Sequence, residues 1–371
     1  MKKTADSINN TSYSTSNYRR EWEERRRMER EKELEEQKKI LKAIEEEKDK
    51  KITKFLKEYP PSRIKAELDQ YIIGQPELTK AVADFLYYQA MMFKYPLSSR
   101  PLLVCGPSGS GKTEVFRVAK KLYKDYFDIG IYDVSNLTSN GWAGTHKLSD
   151  HITPYASNSI LVFDEADKLF SPRYSIGGVN TSADIQAEFL KVVEENEYVV
   201  KSKDAEYVVK NLGVVFLGAF ESIRSKMTQP AGRYIGFGSQ KLEQPIYQGI
   251  DSEMLVEYGM LSELVGRIAT ICNTKPITQE QCLNIVLNSK SRLKNISELL
   301  EQNGIDPWRE LPDERIMQII NESNFETFGL RGVLSKIETI MLDSIHEHGL
   351  IFVPSNAPET PEVEDDEITR I

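Results

Sequence analysis

Cysteine is scarce: Cys105, Cys272 and Cys282 lie far apart, with no C-x-x-C pair, so neither a disulfide frame nor a zinc site is indicated. They read as buried apolar residues. No apolar run approaches the length of a membrane span. Met1-Lys2-Lys3 resembles the start of a secretory signal, but polar residues follow it where an apolar stretch would be needed. A soluble, cytoplasmic protein without membrane contact is the expectation. Excess positive charge is also lacking: the net charge is −9, which argues against a general nucleic-acid binder, although a local basic patch remains compatible with it. What the chain has is bulk. With 371 residues and 40% apolar composition it can bury a large core, divided among two or three domains.

The strongest local signal is Gly106-Pro107-Ser108-Gly109-Ser110-Gly111-Lys112-Thr113, a G-x-x-x-x-G-K-T run. Glycines in this pattern let backbone N–H groups turn toward the phosphates of a nucleoside triphosphate. Lys112 supplies charge to the β/γ oxygens, and the Thr113 hydroxyl can bind Mg²⁺. Pro101 to Cys105 reads as a buried strand before the loop. Val115, Phe116, Val118, Ala119 and Leu122 fall at helical spacing after it, so the phosphates would meet a helix N-terminus.

Further along, Ile129 to Val134 and Ser159 to Phe163 read as strands, and Val214 to Leu217 as another core strand. Strands alternating with helices indicate an α/β domain with a mostly parallel sheet and ligands at the carboxyl ends of its strands. Asp164-Glu165 stands at such an end. There Asp164 can hold Mg²⁺ opposite Thr113, and Glu165 can polarise the water that attacks the γ-phosphate. Asp164-Glu165-Ala166-Asp167 also spells a helicase signature, but the later arginine-rich helicase motifs are absent. Tyr198-Val199-Val200-Lys201 and Tyr207-Val208-Val209-Lys210, around a polar turn, predict a β-hairpin.

The ends of the chain differ from its middle. Residues 1–18 are Ser-, Thr- and Asn-rich and read as a disordered tail, and 19–58 as a protruding charged helix with i,i+4 pairs such as Glu21/Arg25 and Glu35/Lys39. Its Trp22, Met28, Leu34 and Ile40 recur every six positions, which fits no heptad. Residues 59–273 read as the α/β domain, with Pro76 opening a helix. After the hinge Asn273 to Pro276, residues 274–350 read as a small all-helical domain. Its first helix starts at the capping box Thr278-x-x-Gln281, and its last carries Leu330, Val333, Leu334, Ile337, Ile340, Met341 and Ile345 on one face, with Arg331 at its N-terminal end. Residues 351–371 are acidic and Pro-rich, as in a disordered tail. Two Gly-flanked aromatics, Trp142 in Gly141-Trp142-Ala143-Gly144 and Phe237 in Ile235-Gly236-Phe237, sit in loops. Each is either folded onto the core or presented to a partner.

Taken in order, these motifs resemble the ClpX family of AAA+ protein unfoldases, from about Ile64 to Gly349. The resemblance implies an adenine-contacting stretch at Tyr71 to Gln75, including Ile72 and Ile73, and ATP with Mg²⁺ bound by the phosphate loop and Asp164. It implies a catalytic Glu165, an arginine finger at Arg267 in Leu261 to Arg267, and a sensor-2 arginine at Arg331. Gly141 to Gly144 matches the pore loop, with Trp142 for Tyr and Ala143 for Val. Ile235-Gly236-Phe237 resembles the tripeptide that docks on the ring-shaped ClpP peptidase. A homo-hexamer that hydrolyses ATP to thread protein substrates through its pore, delivering them to a ClpP-like peptidase, is the implied function. A stand-alone AAA+ remodeller is the alternative, and a nucleic-acid motor is disfavoured by the acidic charge. The family's N-terminal zinc domain has no counterpart, and no polar sensor-1 residue is evident in Val214 to Phe220.

Overall fold

Leu102-Leu103-Val104-Cys105 is apolar at every position, as a strand covered on both faces must be, and it forms β1 (Leu102–Cys105), buried throughout. The computed structural model describes residues 5–135, 137, 148, 152, 157–175, 177–194, 197–201, 206–227, 249–287, 293–309, 311–323 and 325–348. Strands β2 (Asp128–Asp133), β3 (Ser159–Asp164), β6 (Gly213–Gly218) and β7 (Thr270–Asn273) join β1 in a five-stranded sheet of order β2-β3-β6-β1-β7. Every pairing in it is parallel. The sequence gives no sign of β7: four residues, TICN, half exposed at a sheet edge, are too short and too polar to show as a strand. Strands β4 (Glu197–Lys201) and β5 (Glu206–Lys210) form the expected hairpin, with Val199 opposite Val208.

Because side chains alternate along a strand, the sheet divides the interior in two. Leu103 and Cys105 face a cluster with Phe163, Phe189 and Phe216. Leu102 and Val104 face the other, with Leu86, Phe116, Val162 and Val215. The second cluster is covered by α2 (Pro61–Asp69), α3 (Pro76–Lys94) and α4 (Lys112–Leu122), with Pro76 at the start of α3, where its missing N–H costs nothing.

The N-terminal helix α1 runs from Ala5 to Glu58, so residues 5–18, expected as a disordered tail, form its first turns. Once a helix is nucleated, each added residue fixes few dihedrals for one hydrogen bond, and the charge pairs that follow support its propagation. Trp22, Met28 and Ile40 are exposed, as on a solvated helix. Among its described side chains, those embedded lie at its C-terminal end: Ile52 and Phe55 are buried, Lys48 donates to Ser157 O at 2.9 Å, and Asp49 pairs with Lys94 at 2.6 Å. Phe55 packs within 6 Å of the rings of Tyr59, Tyr123, Tyr126 and Phe127.

The chain divides into two compact units, 1–276 and 277–371. This boundary falls after Pro276 rather than at 273/274, because β7 and the residues just after it are hydrogen-bonded into the first unit. In the second unit the helices Gln279–Leu287, Lys294–Gln302, Asp313–Glu322 and Phe325–His348 enclose Cys282, Val286, Leu300, Ile316, Ile320, Val333, Ile337 and Met341. The capping box forms reciprocally: Gln281 N donates to Thr278 Oγ1 at 3.2 Å and Thr278 N to Gln281 Oε1 at 3.0 Å. The last helix begins at Phe325, so Arg331 lies well inside it rather than at its N-terminal end. Gly329 and Gly332 lower helix propensity there, but the packed face from Leu330 to Met341 outweighs them.

All three cysteines are buried, and burial pushes the Cys272 thiol up to about 11 and the Cys282 thiol up to about 12. They are core residues, as expected. If the end of α1 belongs to the core of the first unit, Phe55→Ala should lower stability by about 3 to 5 kcal/mol in urea denaturation. An effect below about 1 kcal/mol would make α1 a dispensable appendage.

Candidate functional site

Three strands bring the site together at their carboxyl ends: β1 runs into the phosphate loop, β3 ends in Asp164, and β6 lies between them. Backbone bonds lock the seam, with Gly106 N donating to Gly218 O at 3.2 Å and Ala166 N to Leu217 O at 2.8 Å. The loop then turns through Gly111, whose φ of +88° is one that only glycine adopts without strain, directly into α4. Ile72 is buried and sits against that turn, with its Cγ2 3.8 Å from where a Gly111 side chain would begin. The adenine-contacting stretch inferred from sequence and the phosphate loop are thus neighbours, with Ile73 next in line and half-buried.

Lys112 is buried, and its ammonium donates to Gly106 O and Pro107 O at 2.7 Å each. Burial pushes its pKa down to about 8; Asp164 and Asp167 hold it up, while the positive charge of Arg224 adds to the depression. Thr113 Oγ1 donates to Asp164 Oδ2 at 2.7 Å, so the hydroxyl and carboxylate expected to share Mg²⁺ already converge. An oxygen pair of this kind, beside a cationic amine and a helix N-terminus, suits a hard divalent cation with phosphate ligands. The residues present therefore fit ATP with Mg²⁺.

Glu165 follows Asp164 in the left-handed region, at φ +58°, a conformation uncommon for a side chain of its size. Its N–H donates to Asp164 Oδ1 at 2.9 Å, and its carboxylate pairs with Lys168. Asp167, one residue past this turn, accepts from Phe220 N at 3.3 Å, tying the turn to the segment after β6.

Arg267 ends the short helix Ser262–Arg267 and pairs with Glu194 at 2.7 Å, and over half of its side chain is exposed. Arg331 belongs to the second unit and is exposed on its helix. Gly141, Trp142, Ala143 and Gly144, and Ile235, Gly236 and Phe237, lie outside the described residues.

The sequence reading missed Asp167 and Arg224, whose charges act on Lys112, and Thr274, whose Oγ1 is 2.7 Å from Ser110 Oγ. Asp167 was present in the run Asp164 to Asp167, but its role needed the fold. Arg224 sits in the helix Glu221–Met227, beyond the apolar stretch Val214 to Phe220. Thr274 had no local signal at all.

Comparison with known proteins agrees with this geometry. Residues 102–232 match the family "ATPase family associated with various cellular activities (AAA)". The chain is 27% identical over 318 residues to the ATP-dependent Clp protease ATP-binding subunit ClpX of Bacteroides thetaiotaomicron, covering 76% of each chain. It is 26% identical over 308 residues to the subunit ClpX 2 of Wolinella succinogenes, covering 76% of this chain and 75% of that one. Among the described residues, no helix is long and apolar enough to cross a membrane.

The charge on Lys112 sets a pH dependence. Below about 8 the ammonium is already charged and phosphate binds without a proton cost; above it, binding must first restore the proton. Nucleotide affinity should therefore weaken as pH rises past 8, by up to about tenfold per unit. Lys112→Ala should bind at least about tenfold more weakly, with no such step in a fluorescent-nucleotide titration. A wild-type affinity flat from pH 7 to 9.5 would contradict the assignment.

Proposed function

This chain is a ClpX-like AAA+ protein, and we propose that it is an ATP-dependent Clp-type unfoldase that threads polypeptides through the pore of a homo-hexamer. The observation that supports this reading most is the convergence of Lys112, Thr113 and Asp164 at one loop, followed directly by Glu165. Bound MgATP would supply the phosphoanhydride whose hydrolysis drives the cycle. Lys112 would hold the phosphate oxygens, and Thr113 and Asp164 would hold the metal. The Glu165 carboxylate, released from Lys168, would take the proton of the attacking water.

The remaining assignments complete the cycle. Arg267, freed from Glu194, would reach the nucleotide of a neighbouring subunit and stabilise charge in the transition state, and Arg331 would respond to nucleotide from the helical unit. Trp142 would grip the moving chain by shape and dispersion, which suits a motor that must accept many sequences. Ile235-Gly236-Phe237 would dock a ClpP-like peptidase. One apolar side chain in a pocket gives only about 1.5 to 3 kcal/mol, but several such loops on one ring bind with avidity.

Glu165→Gln should bind ATP normally and nearly abolish its hydrolysis, as read by phosphate release. Mixed with Arg267→Ala subunits, it should partly recover activity at boundaries where both intact residues meet. Wild-type turnover in Glu165→Gln, or dead mixtures despite mixed rings, would remove the respective assignment.

The overall function is tested by ATP-dependent loss of fluorescence from a folded, tagged substrate, with and without a ClpP-like peptidase. Trp142→Ala should keep ATPase activity and lose unfolding. Phe237→Ala should keep both and lose only degradation. Unfolding by wild type with no peptidase association would favour the stand-alone remodeller instead.

A further inference from the structure

Thr274 stands one residue past β7, outside every nucleotide-binding motif, yet it is bonded into the phosphate loop. Its N–H donates to Cys105 O at 2.8 Å, and its hydroxyl lies 3.3 Å from the same carbonyl and 2.7 Å from Ser110 Oγ. The Ser110 hydroxyl also donates to Pro107 O at 2.9 Å, and both residues are only 1% exposed. Gly106 packs directly on Thr274: a Cβ there would collide with the threonine Oγ1.

Residues on either side of Thr274 are held just as firmly. Asn273 exchanges two bonds with the backbone of Ile250, at 2.8 and 3.0 Å. Gln75, buried at the end of the adenine-contacting stretch, grips the Lys275 backbone with both ends of its amide: Nε2 donates to Lys275 O at 2.7 Å, and Oε1 accepts from Lys275 N at 3.2 Å. The first unit ends at Pro276, one residue later. The last residues before the second unit are thus tied to the loop that would hold the phosphates and to the stretch that would hold the base.

A continuous hydrogen-bonded path connects Lys112 to this connector: Lys112 Nζ to Pro107 O at 2.7 Å, Pro107 O to Ser110 Oγ at 2.9 Å, and Ser110 Oγ to Thr274 Oγ1 at 2.7 Å. Each hydroxyl has one proton, so the pair has two arrangements. In one, Ser110 donates to Pro107 O and Thr274 donates to Ser110. In the other, Ser110 donates to Thr274, and Thr274 donates to Cys105 O. While Lys112 donates to Pro107 O, that carbonyl is satisfied in either arrangement. Once Lys112 turns to a phosphate oxygen, Pro107 O keeps the long bond from Ser110 N at 3.3 Å but loses its charged donor, so the Ser110 hydroxyl proton becomes its one short bond and the first arrangement is favoured. The Thr274 hydroxyl then leaves Cys105 O.

We propose that Thr274 is a positioning residue: through its hydroxyl pair with Ser110, engagement of Lys112 with phosphate is transmitted to the connector at Thr274 to Pro276. The inference rests on the reading of the site as an ATP site.

The test uses the full chain with Mg·ATPγS, and mant-ADP to measure binding. In wild type, nucleotide should change hydrogen exchange in the peptide spanning residues 271–277. Thr274→Val, which keeps the shape and removes the hydroxyl, should keep mant-ADP affinity within about threefold but lose that change, and lower kcat by about three- to tenfold at little-changed KM. Thr274→Ser should restore both. In a double-mutant cycle, adding Thr274→Val to Ser110→Ala should lower kcat no further than Ser110→Ala does alone. Should Thr274→Val fold poorly, Ser110→Ala alone must still remove the exchange response, although it does not alter the connector.

The proposal is overturned by a retained exchange response in Thr274→Val or Ser110→Ala, by a serine variant as defective as the valine, or by additive losses in the cycle. Failure of wild type to bind mant-ADP would overturn the site reading and the proposal with it. Binding with an unaltered response in the variants overturns the proposal alone.

Discussion

A buried ammonium must be held by carbonyls and offset by charge, and the first unit is arranged around meeting that demand for Lys112. Its contacts with Gly106 O and Pro107 O satisfy donors that burial has stripped of water. Asp164 and Asp167 supply the opposing charge from the turn after β3, and Arg224 adds a second positive charge to the neighbourhood. Parallel strands make this possible, because only a parallel sheet brings the carboxyl ends of β1, β3 and β6 to one edge.

The same constraint explains where the backbone is strained. Asp164 must reach Thr113, and the chain must turn at once to bond Ala166 N to Leu217 O, which leaves Glu165 in a left-handed conformation. Such strain persists where surrounding bonds over-determine the turn, as those of Asp164 and Asp167 do here. The carboxylate of Glu165 is carried on the outer side of that turn, partly exposed and paired with Lys168. Surface pairs of this kind are worth little, so Lys168 is a partner that substrate chemistry can displace.

Arg267 is in a similar condition. Its pair with Glu194 is exposed at both ends and therefore readily exchanged. The connector differs in kind, because the bonds of Thr274 and Gln75 are buried and costly to leave unmade. The first unit thus combines loosely paired charges at its surface with a closed polar network running from Lys112 to its last residues.

The phosphate loop, the acidic strand end, the strands β1, β3 and β6, the hairpin and the capping box at Thr278 were legible in the sequence, because each depends on neighbours within a few residues. Backbone turns at Gly111, apolar runs such as Ser159 to Phe163 and reciprocal Thr278 to Gln281 bonds are local properties of residue type. What the tertiary structure alone decided lies in contacts between distant segments. The edge strand β7 forms because β1 offers it a partner, not because its four residues demand a strand. Arg224 and Asp167 matter to Lys112, and Thr274 to Ser110, only once the sheet brings residues more than fifty positions apart to one end. Lys275 joins Gln75 across 200 residues. Spacing along the chain encodes a loop or a helix, but which side chains share a buried hydrogen bond is fixed by the order in which strands pair.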